Sequence, residues 1–275
     1  MPECLLMAHL VAGYPDMERS VAVAKALARG GADYLEVQFP FSDPTADGPT
    51  IERACQAALA NGFKVDGGFA MVRRLAAETG KPVFIMTYGS IVFARGAAEF
   101  ARLAAEAGAT GLVVPDLPPD YDENLFAAGA EFGLAVTPVI APETTPARLG
   151  CIGSLRPEYI YTALRLGVTG SETSLDDDSI RYLDSVSRLG AKTIAGFGVR
   201  SRGQMEALAG HAHAAAVGSH FLDALAAAGP DFEEALAAAA GALKGNGTRQ
   251  AITAPHPRRR RGIQARTAWP RGRRF

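Results

Sequence analysis

The feature that most constrains this chain is a unit repeated along its body. A helical run ends at a glycine, and a short apolar strand follows within a few residues. Gly31 precedes Tyr34–Val37, Gly80 precedes Val83–Met86, and Gly108 precedes Leu112–Val114. Gly133 precedes Ala135–Val139, Gly190 precedes Thr193–Ala195, and Gly210 precedes Ala214–Val217. A glycine just past a helix takes the left-handed conformation at little cost and stops it. The apolar runs are mostly continuous, as expected of parallel strands covered on both faces. Leu5–Leu10 and Tyr159–Ala163 complete a set of eight predicted strands, most followed by a helix. Asp16 is placed to cap a helix over Met17–Arg29, and Thr144 or Thr145 one that begins at Pro146. Eight strand–helix units in about 240 residues fit a (β/α)8 TIM barrel of class α/β. A doubly wound open sheet is the rival; the unit count and the lack of an early Gly-rich nucleotide fingerprint favour the barrel.

The remaining totals exclude several classes. No apolar run reaches the roughly 20 residues of a membrane helix, and no basic segment precedes an apolar core at the start, so no secretory signal is expected. Three widely spaced cysteines, Cys4, Cys55 and Cys151, suggest buried thiols in a reducing compartment, not a disulfide framework or metal site. The net charge of −1 hides an asymmetry. From Gly245 onward there are nine arginines and no acid, which leaves residues 1–244 at −10. Residues 1–244 are expected to form the catalytic barrel domain. Residues 245–275, with Arg258–Arg261 and the only tryptophan, Trp269, are expected to be a basic, disordered tail. Such a tail attracts nucleic acid through charge alone and lacks a folded reader, so specific nucleic-acid binding is not expected.

The densest polar chemistry lies in LEVQFPFSDPTADGPTI, Leu35 to Ile51. Glu36 sits inside an apolar strand, where a carboxylate is expensive unless paired, hydrogen-bonded or used. Pro40, Pro44 and Gly48-Pro49 then brace a loop carrying Ser42, Asp43 and Asp47 before a helix opens at Thr50. In a barrel, strand ends and the loops after them form the active face. Glu36 and Asp47 are therefore candidates for two different acid–base roles. The structural alternative pairs Glu36 with a barrel Lys or Arg and uses Asp47 as a helix cap.

Glycine-bearing loops after the last three predicted strands form a second candidate. Gly167–Gly170, Gly196-Phe197-Gly198 and Gly218-Ser219 could close backbone N–H groups around a phosphate. Tyr88, Tyr161 and Phe197 lie at strand ends, where they could line an aromatic pocket or simply pack. Asp176, Asp177 and Asp178 are read as charging a helix start, not as a metal site. The five histidines lack ligand spacing. His9 is placed to enter the barrel mouth, whereas His211 and His213 flank the last strand at its far end.

At this point the chain resembles a family. LEVQFPFSDPTADGPTI is similar to the hallmark segment of the tryptophan synthase alpha subunit. The resemblance extends over about residues 5–240, through HLVAGYP, YTALRLGVTG, GFGV and VGS, in the family's order and spacing. It implies a lyase that cleaves indole-3-glycerol phosphate to indole and glyceraldehyde 3-phosphate by a retro-aldol reaction. It also implies Glu36 as general acid–base, Asp47 on the indole N–H, and Tyr161 beside Glu36. Gly170, Gly198, Gly218 and Ser219 would hold the phosphate. Arg165 and Thr169 would lie on a mobile loop, with Phe197 and Tyr88 bordering the substrate. No metal or cofactor is implied in this chain. The implied partner is a beta subunit bearing pyridoxal phosphate, in a cytoplasmic alpha2beta2 assembly that passes indole between subunits.

The sequence departs from the family in five places. Gln38 stands where glycine is usual, His9 where phenylalanine is common, and Leu166 where serine is common. The first strand begins almost at Met1, so the family's helix ahead of it is not expected here, and the basic tail is not a family feature. Two rival readings follow. A sugar-phosphate isomerase barrel would keep the phosphate glycines but has no reason to keep both acids. An activating subunit with little activity of its own is motivated by Gln38 and the missing helix.

Overall fold

A computed structural model of the chain describes residues 3–163, 175–196 and 198–245. Arg165, Leu166, Thr169, Gly170, Phe197 and the tail from Asn246 lie outside the described residues.

Parallel strands make one sheet. In chain order they are β1 (Leu5–Val11), β2 (Tyr34–Gln38), β3 (Val83–Met86), β4 (Gly111–Val113), β5 (Ala135–Thr137), β6 (Val139–Ile140), β7 (Tyr159–Ala163), β8 (Lys192–Gly196) and β9 (Ala214–Val217). β1 pairs with both β2 and β9, and neighbours continue outward in order to β5 on one side and β6 on the other. β5 and β6 are one path of chain interrupted by Pro138. Proline has no N–H for the ladder, so the strand splits there. Its first half bonds to β4 and its second to β7, and the Pro138 carbonyl still accepts the Tyr161 N–H at 2.9 Å. The expected eight strands are therefore present as nine segments, and the split strand closes the circle. This is a (β/α)8 barrel, and the open-sheet alternative falls.

The predicted breaks hold. Gly31, Gly80, Gly108, Gly133, Gly190 and Gly210 all have positive φ. The helix Met17–Arg29 is capped by Asp16, whose carboxylate accepts the Arg19 N–H at 2.8 Å. Thr145, not Thr144, caps Pro146–Ser154. Asp176 caps Asp177–Ser187, and no group of three or more metal-ligating side chains occurs among the described residues. Cys4 and Cys55 are buried as expected, but Cys151 is exposed, because it lies on the solvent side of Pro146–Ser154, a helix that buries Ile152.

Strand alternation sorts the core into two layers. Outward residues such as Leu6, Ala8, Leu10, Leu35 and Val37 pack against the helices. Inward residues fill the barrel, where Tyr34, Phe84 and Tyr159 meet edge to face with centroids 5.1–6.3 Å apart. That aromatic plug occupies the starting end of the strands, together with His213, which bonds the Tyr34 hydroxyl at 2.9 Å. The other end carries the buried polar side chains His9, Glu36 and Gln38.

Candidate active site

His9 and Glu36 are register partners on β1 and β2, and the i, i+2 rule turns Glu36 and Gln38 to the same inner face. After β2 the chain is pinned by two aromatic side chains. Phe39 packs against Phe63, Phe69 and Phe100 in the helix layer, and Phe41 stacks on Tyr88 at 5.5 Å. The loop between them and the helix Pro49–Ala60 lowers Asp47 back over the barrel mouth.

Asp47 does not cap that helix: Gly48 stands at the cap position, with no side-chain bond. Its Oδ2 instead accepts from the Gln38 amide at 2.6 Å and from the Tyr88 hydroxyl at 2.9 Å. The Ala46 N–H donates to the same hydroxyl at 3.1 Å, fixing the phenol. Burial raises the Asp47 pKa, and the His9 charge with the Gln38 and Tyr88 bonds opposes it. Glu36 is 2% exposed and pairs with a histidine, not a Lys or Arg: its Oε2 lies 2.8 Å from His9 Nδ1. Burial, then the negative charges of Glu36 and Asp47, keeps the Tyr161 phenol protonated well above its usual range.

Glycines make room for these rings. A Cβ on Gly196 would lie 2.5 Å from Tyr161 Cε1, so only glycine lets that ring lie across β8. At the end of β9, Gly218 leads into the helix Ser219–Ala228, whose start has no side-chain cap. The start of that helix and Gly198 (φ 98°) line one cleft. Glu36, Asp47 and Tyr161 line the same cleft, together with Gly198, Gly218 and Ser219. Ile51, Met86, Val113 and Val139 give it an apolar wall. The arrangement offers two acids beside an apolar wall, and an anion seat at a helix start.

The model of the family "Tryptophan synthase alpha chain" matches residues 2–250. The chain belongs to the tryptophan synthase alpha chain family. It is 38% identical over 229 residues to the alpha chain of Desulfotalea psychrophila, covering 83% of this chain and 90% of that one. It is 41% identical over 221 residues to the alpha chain of Deinococcus radiodurans, covering 79% and 81%. A solved Mycobacterium tuberculosis tryptophan synthase superposes with a TM-score of 0.81 at 36% identity, covering 88% of this chain and 92% of that one.

Against this tryptophan synthase alpha fold, the expected residues divide three ways. Glu36, Asp47, Tyr161, Gly198, Gly218 and Ser219 converge on one cleft. Tyr88 stands behind Asp47, 1% exposed, as a donor to it. The rest lie outside the described residues. Sequence reasoning missed Arg200, whose Nη2 donates to Ser219 Oγ at 3.1 Å and to Asp223 at 2.6 Å. A basic residue two positions after the GFG turn was the available signal.

Proposed function

We propose that this chain carries out the alpha reaction of tryptophan synthesis, retro-aldol cleavage of indole-3-glycerol phosphate, with Glu36 as acid–base and Asp47 as the group on the indole nitrogen. The observation that carries the reading is the single cleft that joins both acids to the Gly198–Gly218–Ser219 seat. The apolar wall suits an indole ring. The helix start, with the Arg200 guanidinium beside Ser219, suits a phosphate.

Cleavage needs a proton on carbon and one removed from oxygen. Glu36 gives its proton to the indole carbon that bears the side chain, and the ring nitrogen becomes positive. The Asp47 carboxylate accepts the nitrogen's N–H and stabilises that charge in a site shielded from water. Glu36 then takes the proton of the adjacent glycerol hydroxyl. As the carbon–carbon bond breaks, its electrons return to the ring and the O–H electrons form the aldehyde. One proton is given and one regained, so the acid resets. Gly170 would complete the phosphate seat, Arg165 and Thr169 the closing loop over Asp47, and Phe197 the pocket edge.

The same reading makes a beta subunit the partner, in an alpha2beta2 assembly in the cytoplasm. That partner would hold pyridoxal phosphate and receive the indole. In this reading the Phe39–Asp47 segment and the Arg165–Gly170 stretch would couple the two sites. Among the described residues no helix is long and apolar enough to cross a membrane. The test is release of indole and glyceraldehyde 3-phosphate from indole-3-glycerol phosphate, by the purified chain alone and with a beta subunit. Equal amounts of both products are expected, faster with the partner. A folded chain that yields neither product under either condition would overturn the reading and return attention to sugar-phosphate isomerisation.

A further inference from the structure

The two oxygens of Glu36 are not equivalent. Oε2 is tied to His9 Nδ1 at 2.8 Å, while Oε1 is buried with no hydrogen-bond partner. Both side chains line the cleft and are nearly sealed, His9 at 5% exposure and Glu36 at 2%. The imidazole is also wedged: a Cβ on Gly218 would come within 3.0 Å of its Cδ2, so the ring lies against the anion seat. Around it stand Glu36 from β2, Asp47 from the following loop, Tyr161 from β7 and Ser219 after β9. The inward residues of β9 itself, Ala214 and Ala216, carry no charge. No lysine or arginine lines the cleft among the described residues, so His9 is the cation available to Glu36. A buried ion pair is a costly way to fill space, and an apolar pair would fill it more cheaply.

We propose that the acid–base unit of this lyase is a His9–Glu36 dyad, in which His9 anchors Oε2 and leaves Oε1 to face the reacting atoms. The inference rests on Glu36 being the acid–base. His9 is a positioning residue: it acts through Glu36, as an imidazole–carboxylate bond fixes orientation and tautomer in other acid–base sites. During turnover Oε1–H gives its proton to the ring carbon, leaving a carboxylate whose Oε2 keeps the hydrogen bond from the neutral imidazole Nδ1–H. The hydroxyl proton then returns to Oε1 as the carbon–carbon bond breaks. The imidazole proton stays in the dyad throughout. Burial works against a charged His9, but the bond to Glu36, its charge and that of Asp47 outweigh burial and hold its pKa above 6.5.

The test is the pH profile of kcat for the full chain, with His9→Phe, His9→Gln and Glu36→Gln measured in parallel. Histidine-ring nitrogen NMR titration of the same proteins gives a readout independent of turnover. The glutamine amide at position 9 still donates to Oε2 but does not titrate. His9→Gln is expected to keep plateau kcat within about threefold, since one neutral hydrogen bond replaces another of modest net worth. His9→Phe is expected to lose about tenfold to a hundredfold, part of what a positioned acid–base group supplies. In both variants the alkaline limb moves to lower pH by about one unit or more, because the imidazole no longer holds the dyad's last proton. By NMR, one imidazole of the wild type titrates above 6.5, is absent in both His9 variants, and titrates lower in Glu36→Gln.

Limbs that coincide with wild type in both His9 variants, with Glu36→Gln inactive, would overturn the dyad alone. A fully active Glu36→Gln would overturn the acid–base reading and the dyad with it. If His9→Phe does not fold, His9→Gln and the NMR titration decide the matter by the same criteria.

Discussion

Two carboxylates on one cleft are held by different neighbours. Glu36 has an imidazole on one oxygen, and Asp47 has an amide and a phenol on one of its own. Neutral donors leave Asp47 free to meet a positive charge, whereas an imidazole partner suits a group that must give up a proton and regain it. The His9–Glu36 contact has a consequence for stability. The folded-state pKa of His9 lies above its ordinary 6.5. The stability it lends is therefore complete below pH 6.5 and is lost as pH rises through the raised value. Urea unfolding across that window is expected to show the wild type losing stability relative to His9→Phe as pH rises; parallel curves would contradict it. Both acids were legible from residue type alone, one because a carboxylate stood in an apolar strand, the other because prolines braced its loop. Their partners were not. Gln38 and Tyr88 lie 9 and 41 residues from Asp47 in the chain and reach it only once the loop folds back over the strand ends.

Strands and loops divide the labour at the next scale. Alternation sends every second side chain into the barrel, and the inward glycines decide which rings fit. Gly196 is the sharpest case, with the Tyr161 ring in the space of its missing Cβ. Gly196→Ala is expected to destabilise the fold by about 1–3 kcal/mol, the usual range for overpacking, and to lower kcat by displacing Tyr161 beside Glu36. Chemical denaturation and steady-state kinetics would check the two effects separately. Unchanged stability would mean that the ring moves aside freely. Strand positions were readable because helix-ending glycines punctuate them; Val83–Met86, Tyr159–Ala163 and Ala214–Val217 fall where predicted. The split at Pro138 escaped a reading based on apolar runs. Proline interrupts hydrogen bonding without interrupting hydrophobicity. That Thr145 and not Thr144 caps its helix was equally invisible, since the two hydroxyls differ only in where the turn places them.

At the scale of the molecule, the barrel closes twice. The split strand joins the sheet into a circle, and the helix Phe232–Lys244 packs on Met17–Arg29 so tightly that a Cβ on Gly30 would lie 2.4 Å from the Ala237 carbonyl. Lys244 then bonds Asp33 at 2.9 Å beneath β2, and Gly245 ends the helix in the left-handed conformation. We propose that the catalytic domain ends here. Truncation after Gly245 is expected to leave cleavage of indole-3-glycerol phosphate unchanged and to abolish any salt-sensitive retention on nucleic acid; loss of turnover would give the basic segment a part in catalysis. Fold class was legible because eight repeated units leave few ways to bury their strands, and barrel closure needed only the register that the structure supplies. In the proposed reaction Glu36 moves the proton. The most direct test is steady-state cleavage of indole-3-glycerol phosphate by Glu36→Gln beside the wild type, with folding checked by urea unfolding. The kcat of Glu36→Gln is expected to fall by about a thousandfold or more, within the range for removal of a positioned acid–base group, with KM little changed. A folded Glu36→Gln that turns over at the wild-type rate would contradict it.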